Sequence, residues 1–579
     1  MWQAIPFRQT LRLLALGLLA LSLSVPSMER CCLGQTPASA SGRWPALAND
    51  QRDWMGTLSC ASASCHGQDP ETVPGISLGG KWLHQESTIW EEHDPHARAA
   101  RILDTAEFRR ILTRVSGQAE DAPFDPVVYR QCAACHDPAG IAALDHATRQ
   151  GLAAPDRRAA PRGVGCESCH GAAQDWLTSH YQGNFTAERR QAAGMIDTRD
   201  LLTRGRVCAQ CHVGDERHDM NHDMIAAGHP PLRFELTSYH DLIRVKHWRE
   251  SARTAVSEFK FQMWLAGRWA VADATLGLLA DRAARSLPPK TSNHKSTQSE
   301  GVWPELAEYD CFACHQRLRV GERQAAQESR LSREPKLSAI PRWQPWNLSS
   351  WRGGVLPGSP VKLDQALLEL RATMSANLDS DPAVIQAQAQ AARQLLRSTA
   401  FPGVKLPPRL GELVVIDEAD SAAAGAASDS SASFTARDYL QRLVGVAAAA
   451  ASRPANADAA ESRNVDRWAD ACQDYLAVKA AYQAWRERAP AGRLATEGRL
   501  VPGDATGSVL RGSRDAADLE RRLTEIAQSL QFGSTEFEWP GYDWKGLAGT
   551  PISGPLPSLS AIREQLRSVA EQLLRSGND

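Results

Sequence analysis

Five pairs of cysteines, each followed at once by histidine, constrain this chain more than any other feature. Four pairs have two residues between the cysteines, and the pair nearest the N-terminus has four. In chain order, the five motifs are Cys60/Cys65/His66, Cys132/Cys135/His136, Cys166/Cys169/His170, Cys208/Cys211/His212 and Cys311/Cys314/His315. A disulfide framework would spread its cysteines more widely. A zinc ribbon explains one such pair but gives no reason for histidine at the same offset five times.

The Cys-x-x-Cys-His spacing is the attachment signal of c-type haem. Two thiols one helical turn apart reach both vinyl groups on one porphyrin edge, and the next histidine becomes the proximal iron ligand. The longer loop between Cys60 and Cys65 can still reach both vinyl groups. We therefore expect about five covalently bound haem c groups. Cys472 stands alone in a helical pattern, where a buried small hydrophobic residue is expected.

The remaining histidines are the source of second axial ligands. Of the 16 histidines, ten that do not belong to a motif lie between His84 and His247, among the haem motifs, and methionine is scarce there. This pattern favours iron with two histidine ligands and a low potential. The candidate distal ligands are His96, His180, His229 and His222.

Local sequence suggests helical surroundings for three of these candidates. His96 is expected near the start of one amphipathic helix that reaches Leu112, with Asp94 as its N-cap and Pro95 at the first position. His222 and His229 either share one helix or are separated by a helix end at Gly228 and Pro230.

The motifs resemble those of the tetrahaem cytochrome c-554 family, the electron acceptors associated with hydroxylamine oxidation. The segment from Gly163 to Gly171 is similar to that family's third haem segment, and His180 matches its downstream distal histidine. The segment from Trp90 to Ala100 resembles another family stretch, which implies that His96 is the distal ligand of the first haem. Residues 207–214 and 226–230 look like the fourth-haem region of the family's relatives.

The resemblance covers roughly residues 55–250 and also shows departures. The first motif is lengthened, a fifth motif is added, and some 260 residues follow it. One haem of that family lacks a distal ligand, which implies an open iron here. The expected place is the second motif, whose surroundings in sequence offer only His146.

The N-terminal residues are typical of an exported protein. Arg8 and Arg12 precede an apolar run from Leu13 to Val25, and residues 38–40 offer a small-residue cleavage site. Residues 1–40 are expected to be a signal peptide, with an uncleaved membrane anchor as the alternative and the only expected membrane contact. The localisation would then be periplasmic or extracytoplasmic.

The rest of the chain is expected to be mainly α-helical, with little sheet. Residues 41–345 would form a haem-stapled pentahaem domain, in which the aromatic stripe within 251–287 packs either in a plain core or on a haem. Residues 346–579 would form a helical bundle with a flexible, low-complexity linker near 417–433. The predicted helical segments there are 362–398, 435–451, 465–488, 515–531 and 558–575.

Electron transfer is the function that these features favour. The alternative is a haem redox enzyme acting on a small nitrogen or sulfur compound at one open-coordinate haem. No Cys-x-x-Cys-Lys motif occurs, and five motifs are fewer than the eight of hydroxylamine oxidoreductases, so electron transfer is preferred over catalysis. The expected partners are a donor and an acceptor redox protein. Nucleic acid is not expected, because 65 Lys and Arg balance 67 Asp and Glu.

Overall fold

The chain is mainly α-helical wherever its structure is described. A computed structural model describes residues 52–68, 84–117, 126–152, 163–243, 258–287, 302–309, 343, 346–348, 351, 361–398, 435–451, 468–488, 506–530 and 559–576. These residues contain no strand, and an isolated antiparallel bridge joins Tyr309 to Trp343. The predicted fold class is confirmed.

The N-terminal half consists of short helices joined by turns. Side-chain caps define many of the starts: Thr105 accepts from Phe108 N, Asp200 from Thr203 N, and Asn221 from Met224 N. The helices are α1 (Glu86–His93), α2 (Ala106–Ser116), α3 (Pro126–His136), α4 (Pro138–Arg149), α5 (Cys166–His170), α6 (Ala187–Ala192), α7 (Leu201–His212), α8 (His222–Ala227) and α9 (Leu236–Leu242).

The predicted helix after Asp94 is in fact two elements. Asp94 does cap the start, since its carboxylate accepts from His96 N at 3.0 Å. A 3₁₀ helix then runs over Pro95–Asp104, and α2 begins only after Thr105. Thr105 has extended backbone angles (φ −88°, ψ 157°) and its own capping hydroxyl, so it ends one element and starts the next.

Helix α10 (Phe259–Arg285) is the central element of the main hydrophobic core. It packs against α7, which carries the fourth motif, and against α9. Trp264, Trp269 and Phe261 are almost completely buried. The burial of each such side chain stabilises the fold by about 2 kcal/mol of apolar transfer free energy. Of the two alternatives for this aromatic stripe, core packing is therefore the one observed.

The C-terminal helices complete the same core. They are α11 (Val361–Ala376), α12 (Pro382–Ser398), α13 (Ala436–Ala451), α14 (Trp468–Arg488), α15 (Thr506–Ser529) and α16 (Leu559–Ser576). The predicted segment 362–398 is split into α11 and α12, and α10 packs on both α12 and α14. Cys472 is fully buried in this cluster, as predicted. The domain boundary at 345/346 stays a prediction, although one apolar cluster continues across it.

Two predicted segments lie outside the described residues: the signal peptide at 1–40 and the linker near 417–433. Among the helices in the described ranges, none combines the length and the apolar character needed to cross a membrane.

Candidate functional site

The first motif faces His180. A 3₁₀ turn, Thr57–Ser59, leads into Cys60, and the loop returns to His66, whose Nδ1 lies 2.9 Å from Glu86 Oε2. His180 follows the buried Trp176 and lies opposite, with its ring centre 6.0 Å from that of His66 and the two planes at 21°. The sequence predicts that His180 faces a neighbouring haem-binding motif, and in the structure that motif is the first one, at His66.

The fourth motif faces His96. Helix α7 ends at His212, whose ring centre lies 6.1 Å from that of His96, with an interplanar angle of 81°. The resemblance had implied that His96 serves the first haem, whereas in the structure its ring faces His212 of the fourth motif. His96 O accepts from Val164 N at 3.1 Å, which holds the His96 segment against the third motif, and His180 lies opposite His66 instead.

The second motif faces His229. His136 ends α3, and its ring centre lies 6.3 Å from that of His229 at an interplanar angle of 66°. Helix α8 ends before Gly228, which has a φ of 121°, so the helix-end alternative between His222 and His229 is the one observed. The sequence around the second motif offers only His146, but in the structure His229 comes in from a distant segment and its ring faces that of His136.

These three separations suit an iron atom between the rings. With metal–nitrogen bonds of about 2 Å on each side and about 1.1 Å from each nitrogen to its ring centre, two axial imidazoles have centres about 6 Å apart. The described residues thus contain three histidine pairs whose spacing fits six-coordinate haem iron.

Hydrogen bonds at Nδ1 orient the rings for this role. His180 Nδ1 lies 3.0 Å from the carbonyl oxygens of Trp176 and Leu177, and His229 Nδ1 lies 2.8 Å from Pro230 O. Because a carbonyl only accepts, Nδ1 carries the proton and Nε2 keeps its lone pair for a metal. At His66 and His96, the carboxylates of Glu86 and Asp94 take the place of these carbonyls beside Nδ1.

Burial keeps two of the proximal rings, those of His136 and His212, neutral. It lowers the pKa of His136 to about 4, and it lowers the pKa of His212 to about 3, with a smaller effect from the nearby His96. A neutral imidazole is the form that binds a metal, so both rings are ready ligands at neutral pH.

The third motif connects the other haem-binding segments. Buried Glu167 accepts from the backbone N–H groups of Met55, Gly56 and Ala173, each at 2.8 Å. Gly163 has a φ of 122°, and its N–H donates to Asp137, directly after the second motif. A side chain at Gly163 would also meet the carbonyl of His96 at 2.9 Å. The stretch from Gly163 to Ala173 therefore contacts three other parts of the site. These are the residues before the first motif, the residue after the second motif, and the His96 segment that faces the fourth motif.

Residues 59–171 match the family model described as cytochrome c554 and c-prime. This segment is similar to that family. The match covers about a fifth of the chain, including the first three motifs and His96, and it confirms the predicted resemblance over that range. Comparisons with curated proteins and with solved structures gave no match. The family supports a c-type cytochrome that carries covalently bound haem c and functions in electron transfer.

Within and beyond this cytochrome segment, the thiols of different motifs approach one another. The Cys60 thiol lies close enough to that of Cys166, and the Cys169 thiol to that of Cys208, to shift its pKa, and the Sγ atoms of Cys135 and Cys211 lie within 4.8 Å of each other. The haem-binding segments therefore follow one another in space in the order first, third, fourth and second.

Two of these thiols and a nearby histidine are arranged like the ligands of a metal ion. Ligand atoms of Cys135, Cys211 and His218 all lie within 4.8 Å of one another. The two thiols come from different motifs, and both would be consumed as thioethers when haem c is attached. Burial raises the pKa of Cys132 and of Cys169 to about 12, so these thiols are protonated in an apolar interior that suits a porphyrin edge.

Other predicted ligands have different positions. His170 ends α5, and its carbonyl accepts from Ile196 N. His222 begins α8, and its N–H donates to Glu305 Oε1 at 2.8 Å, beside the 3₁₀ turn Leu306–Glu308 that precedes the fifth motif. Cys311, Cys314 and His315 lie outside the described residues, so the fifth haem and the role of His222 stay predictions.

Sequence reasoning missed the groups that orient the ligands. Glu86 and Glu167 attracted no attention as acidic residues in short helical segments, and Asp94 was expected only as a helix cap. A carboxylate two residues before a predicted ligand was the one available signal, and it applies to Asp94 alone.

Proposed function

We propose that this chain is an exported multihaem cytochrome that transfers electrons through about five covalently bound haems, most of them with two histidine ligands. The three imidazole pairs at 6.0, 6.1 and 6.3 Å carry this proposal, because a zinc or disulfide protein has no need for facing rings at that spacing. The residues that would hold the haems are the paired cysteines, the five proximal histidines, and His180, His229 and His96 as distal ligands.

Bound haem c supplies reversible one-electron chemistry at iron, which the side chains alone lack. The chain contributes position. Glu167 ties the start of the first motif to the third, and the thiol contacts bring the third motif near the fourth and the fourth near the second. A continuous row of redox sites within one protein favours electron transfer over a single reaction centre.

An enzyme acting on a small nitrogen or sulfur compound would need an iron with a free distal face. His180, His229 and His96 lie where they would occupy that face at the first, second and fourth motifs. The described geometry therefore favours electron transfer at these three positions, and any catalytic iron would have to belong to the third or fifth motif.

Intact mass and spectroscopy test the proposal. The holoprotein should exceed the mass of its chain by about five haems, and its ferric spectrum should be low-spin and unchanged by cyanide, nitrite or hydroxylamine. A gain of only four haems would mean that either the lengthened first motif or the fifth motif carries no haem. Colourless or zinc-loaded protein from a host that matures cytochromes c would refute the proposal.

We also propose periplasmic location and redox-protein partners, since haem attachment and the N-terminal leader both suit export. Cell fractionation with detection of the haem-stained chain checks the location. Recovery of the holoprotein in the cytoplasmic fraction would contradict it.

A further inference from the structure

The first motif lies nearest the surface of the four described motifs. In its loop, Ser62 to Cys65 are exposed, whereas no residue from Cys132 to His136, from Cys166 to His170 or from Cys208 to His212 is exposed. An electron entering or leaving from outside therefore has its shortest route at the first motif.

The two segments that form the His66–His180 pair contain no charged residue. Trp54 to Gln68 is a run of fifteen residues, and Trp176 to Ala187 a run of twelve, without Asp, Glu, Lys or Arg. In a chain that is 23% charged, these lengths would ordinarily hold about six charged residues. Much of both runs is solvent-exposed, including Ser62 to Cys65 and Tyr181 to Asn184. The exposed parts of these two runs therefore offer an unusually long stretch without charged side chains.

Large apolar side chains are exposed on the same two segments. Leu58 is 68% exposed, Tyr181 64% and Met55 43%. The Tyr181 ring centre lies 5.8 Å from that of His180, and Met55 O accepts from Ser59 Oγ just before the first motif. Exposed apolar groups gathered beside a functional centre mark interaction surfaces more often than exposed residues scattered singly.

The charges at the margin of this surface are compensated. Arg52 Nε lies 2.7 Å from Asp175 Oδ2, and Arg149 Nη2 lies 2.6 Å from Asp53 Oδ1. At its N-terminal margin, which lies among the described residues, neither run is therefore bordered by an uncompensated charge that would attract a strongly charged partner.

We infer that the exposed parts of Trp54–Gln68 and Trp176–Ala187 form a neutral docking surface for a redox protein whose own contact surface is uncharged. This inference rests on the proposed electron-transfer function and specifies which haem faces the partner. Apolar contacts by Leu58, Tyr181 and Met55 would hold the encounter complex, and the rate would depend little on salt.

Stopped-flow electron transfer from the reduced holoprotein tests the inference. The probe is a soluble monohaem cytochrome c with lysines around its haem edge, used both native and with its lysines acetylated. With the acetylated probe, the wild-type rate constant should change less than about twofold from about 10 mM to about 500 mM NaCl. At about 500 mM NaCl, where attraction to the carboxylates of the acetylated probe is screened, the double variant Leu58→Lys/Tyr181→Lys should react with it about tenfold more slowly than wild type, because the apolar contacts are lost. The rate constant of this variant with the native, lysine-rich probe should rise with salt concentration, because salt screens the repulsion between the new lysines and those of the probe.

The matched control is Leu368→Lys/Val384→Lys, which adds two lysines at exposed apolar positions on α11 and α12. The control should leave all rates unchanged. Equal slowing by both double variants, or no slowing by the first, would overturn the inference. So would a shift in haem potentials or absorbance that explains the slowing, because Leu58 and Tyr181 would then belong to the haem pocket.

Sedimentation of the wild type and the first double variant distinguishes another occupant. A dimer that the variant loses would mean that a second copy of this chain covers the surface, against the inference. Failure of the underlying function has a separate signature, because a holoprotein that dithionite cannot reduce would contradict electron transfer itself.

Discussion

At the scale of single residues, hydrogen bonding at Nδ1 holds each distal histidine in position. Trp176 O, Pro230 O and Asp94 Oδ1 accept at His180, His229 and His96, and each bond turns Nε2 toward the facing ring. The sequence predicts these histidines as ligands from their proximity to the motifs. It cannot predict which proximal histidine each one faces, because that depends on contacts between distant segments.

Replacing His229 should open one iron. In His229→Ala the second haem would lose its distal ligand, so a high-spin ferric component that binds cyanide should appear in the absorption spectrum. His146→Ala is the matched control, and it should leave the spectrum low-spin because the ring that faces His136 is that of His229. Cyanide binding after the His146 substitution alone would mean that the two histidines have been assigned the wrong way round.

Glu167 should matter for stability more than its acidic type suggests. In Glu167→Gln one oxygen can still accept from Met55 and Ala173, but the new amide group points a donor at Gly56 N–H. Leaving a buried donor unsatisfied should lower the free energy of unfolding by about 1–3 kcal/mol, measured by urea denaturation of the holoprotein. The exposed Glu188→Gln should change it by less than about 0.5 kcal/mol. Equal values for the two variants would rule out this role.

At the scale of elements, the sequence predicts most helices but not the breaks within them. The C-terminal segments 435–451 and 465–488 are helical as expected, at Ala436–Ala451 and Trp468–Arg488. The expected helix from Asp94 to Leu112 is interrupted because Thr105 caps a second start inside an apolar-periodic pattern. The break in 362–398 falls at a turn where Ser380 Oγ donates to Thr373 O, a contact that periodicity cannot reveal.

The relative orientation of the elements also sets the angle between paired rings. Parallel imidazoles interact with the same iron d orbital and split the d levels, whereas perpendicular imidazoles leave two levels nearly equal in energy. The pair at 21° should therefore give a rhombic low-spin ferric EPR signal, and the pairs at 81° and 66° should give signals with a large maximum g value. His180→Ala should remove the rhombic signal selectively. Loss of a large-g signal instead would show that the ring planes are assigned to the wrong motifs.

At the scale of the whole molecule, one hydrophobic cluster joins the cytochrome segments to the C-terminal helices. Leu202 of α7, six residues before the fourth motif, shares this cluster with residues of α12, α14 and α16. The sequence suggests two parts because the haem chemistry ends before the helical repeats begin. It cannot reveal a shared core, since the apolar face of α10 gives no sign of which helices cover it.

A buried ion pair crosses the same boundary and should make stability depend on acid pH. Asp273 of α10 is 7% exposed, and burial alone would raise its pKa, but hydrogen bonds from Arg397 and Arg393 of α12 bring it to about 2. A carboxylate with a depressed pKa stabilises the fold fully above its ordinary value of 3.8, and this contribution is lost as the pH falls toward about 2. The depression corresponds to about 2 kcal/mol.

At pH 7, Asp273→Asn should therefore unfold at a lower urea concentration than wild type. Its free energy of unfolding should be lower by at least about 2 kcal/mol, because two arginines also lose their partner. The difference should narrow between pH 4 and pH 2, where the wild-type carboxylate becomes protonated. Asp379→Asn, at an exposed position between α11 and α12, is the control and should show no such pH dependence. A difference between Asp273→Asn and wild type that stays constant down to pH 2 would mean that Asp273 acts through packing alone, and that charge does not hold α12 against the helix beside the haem segments.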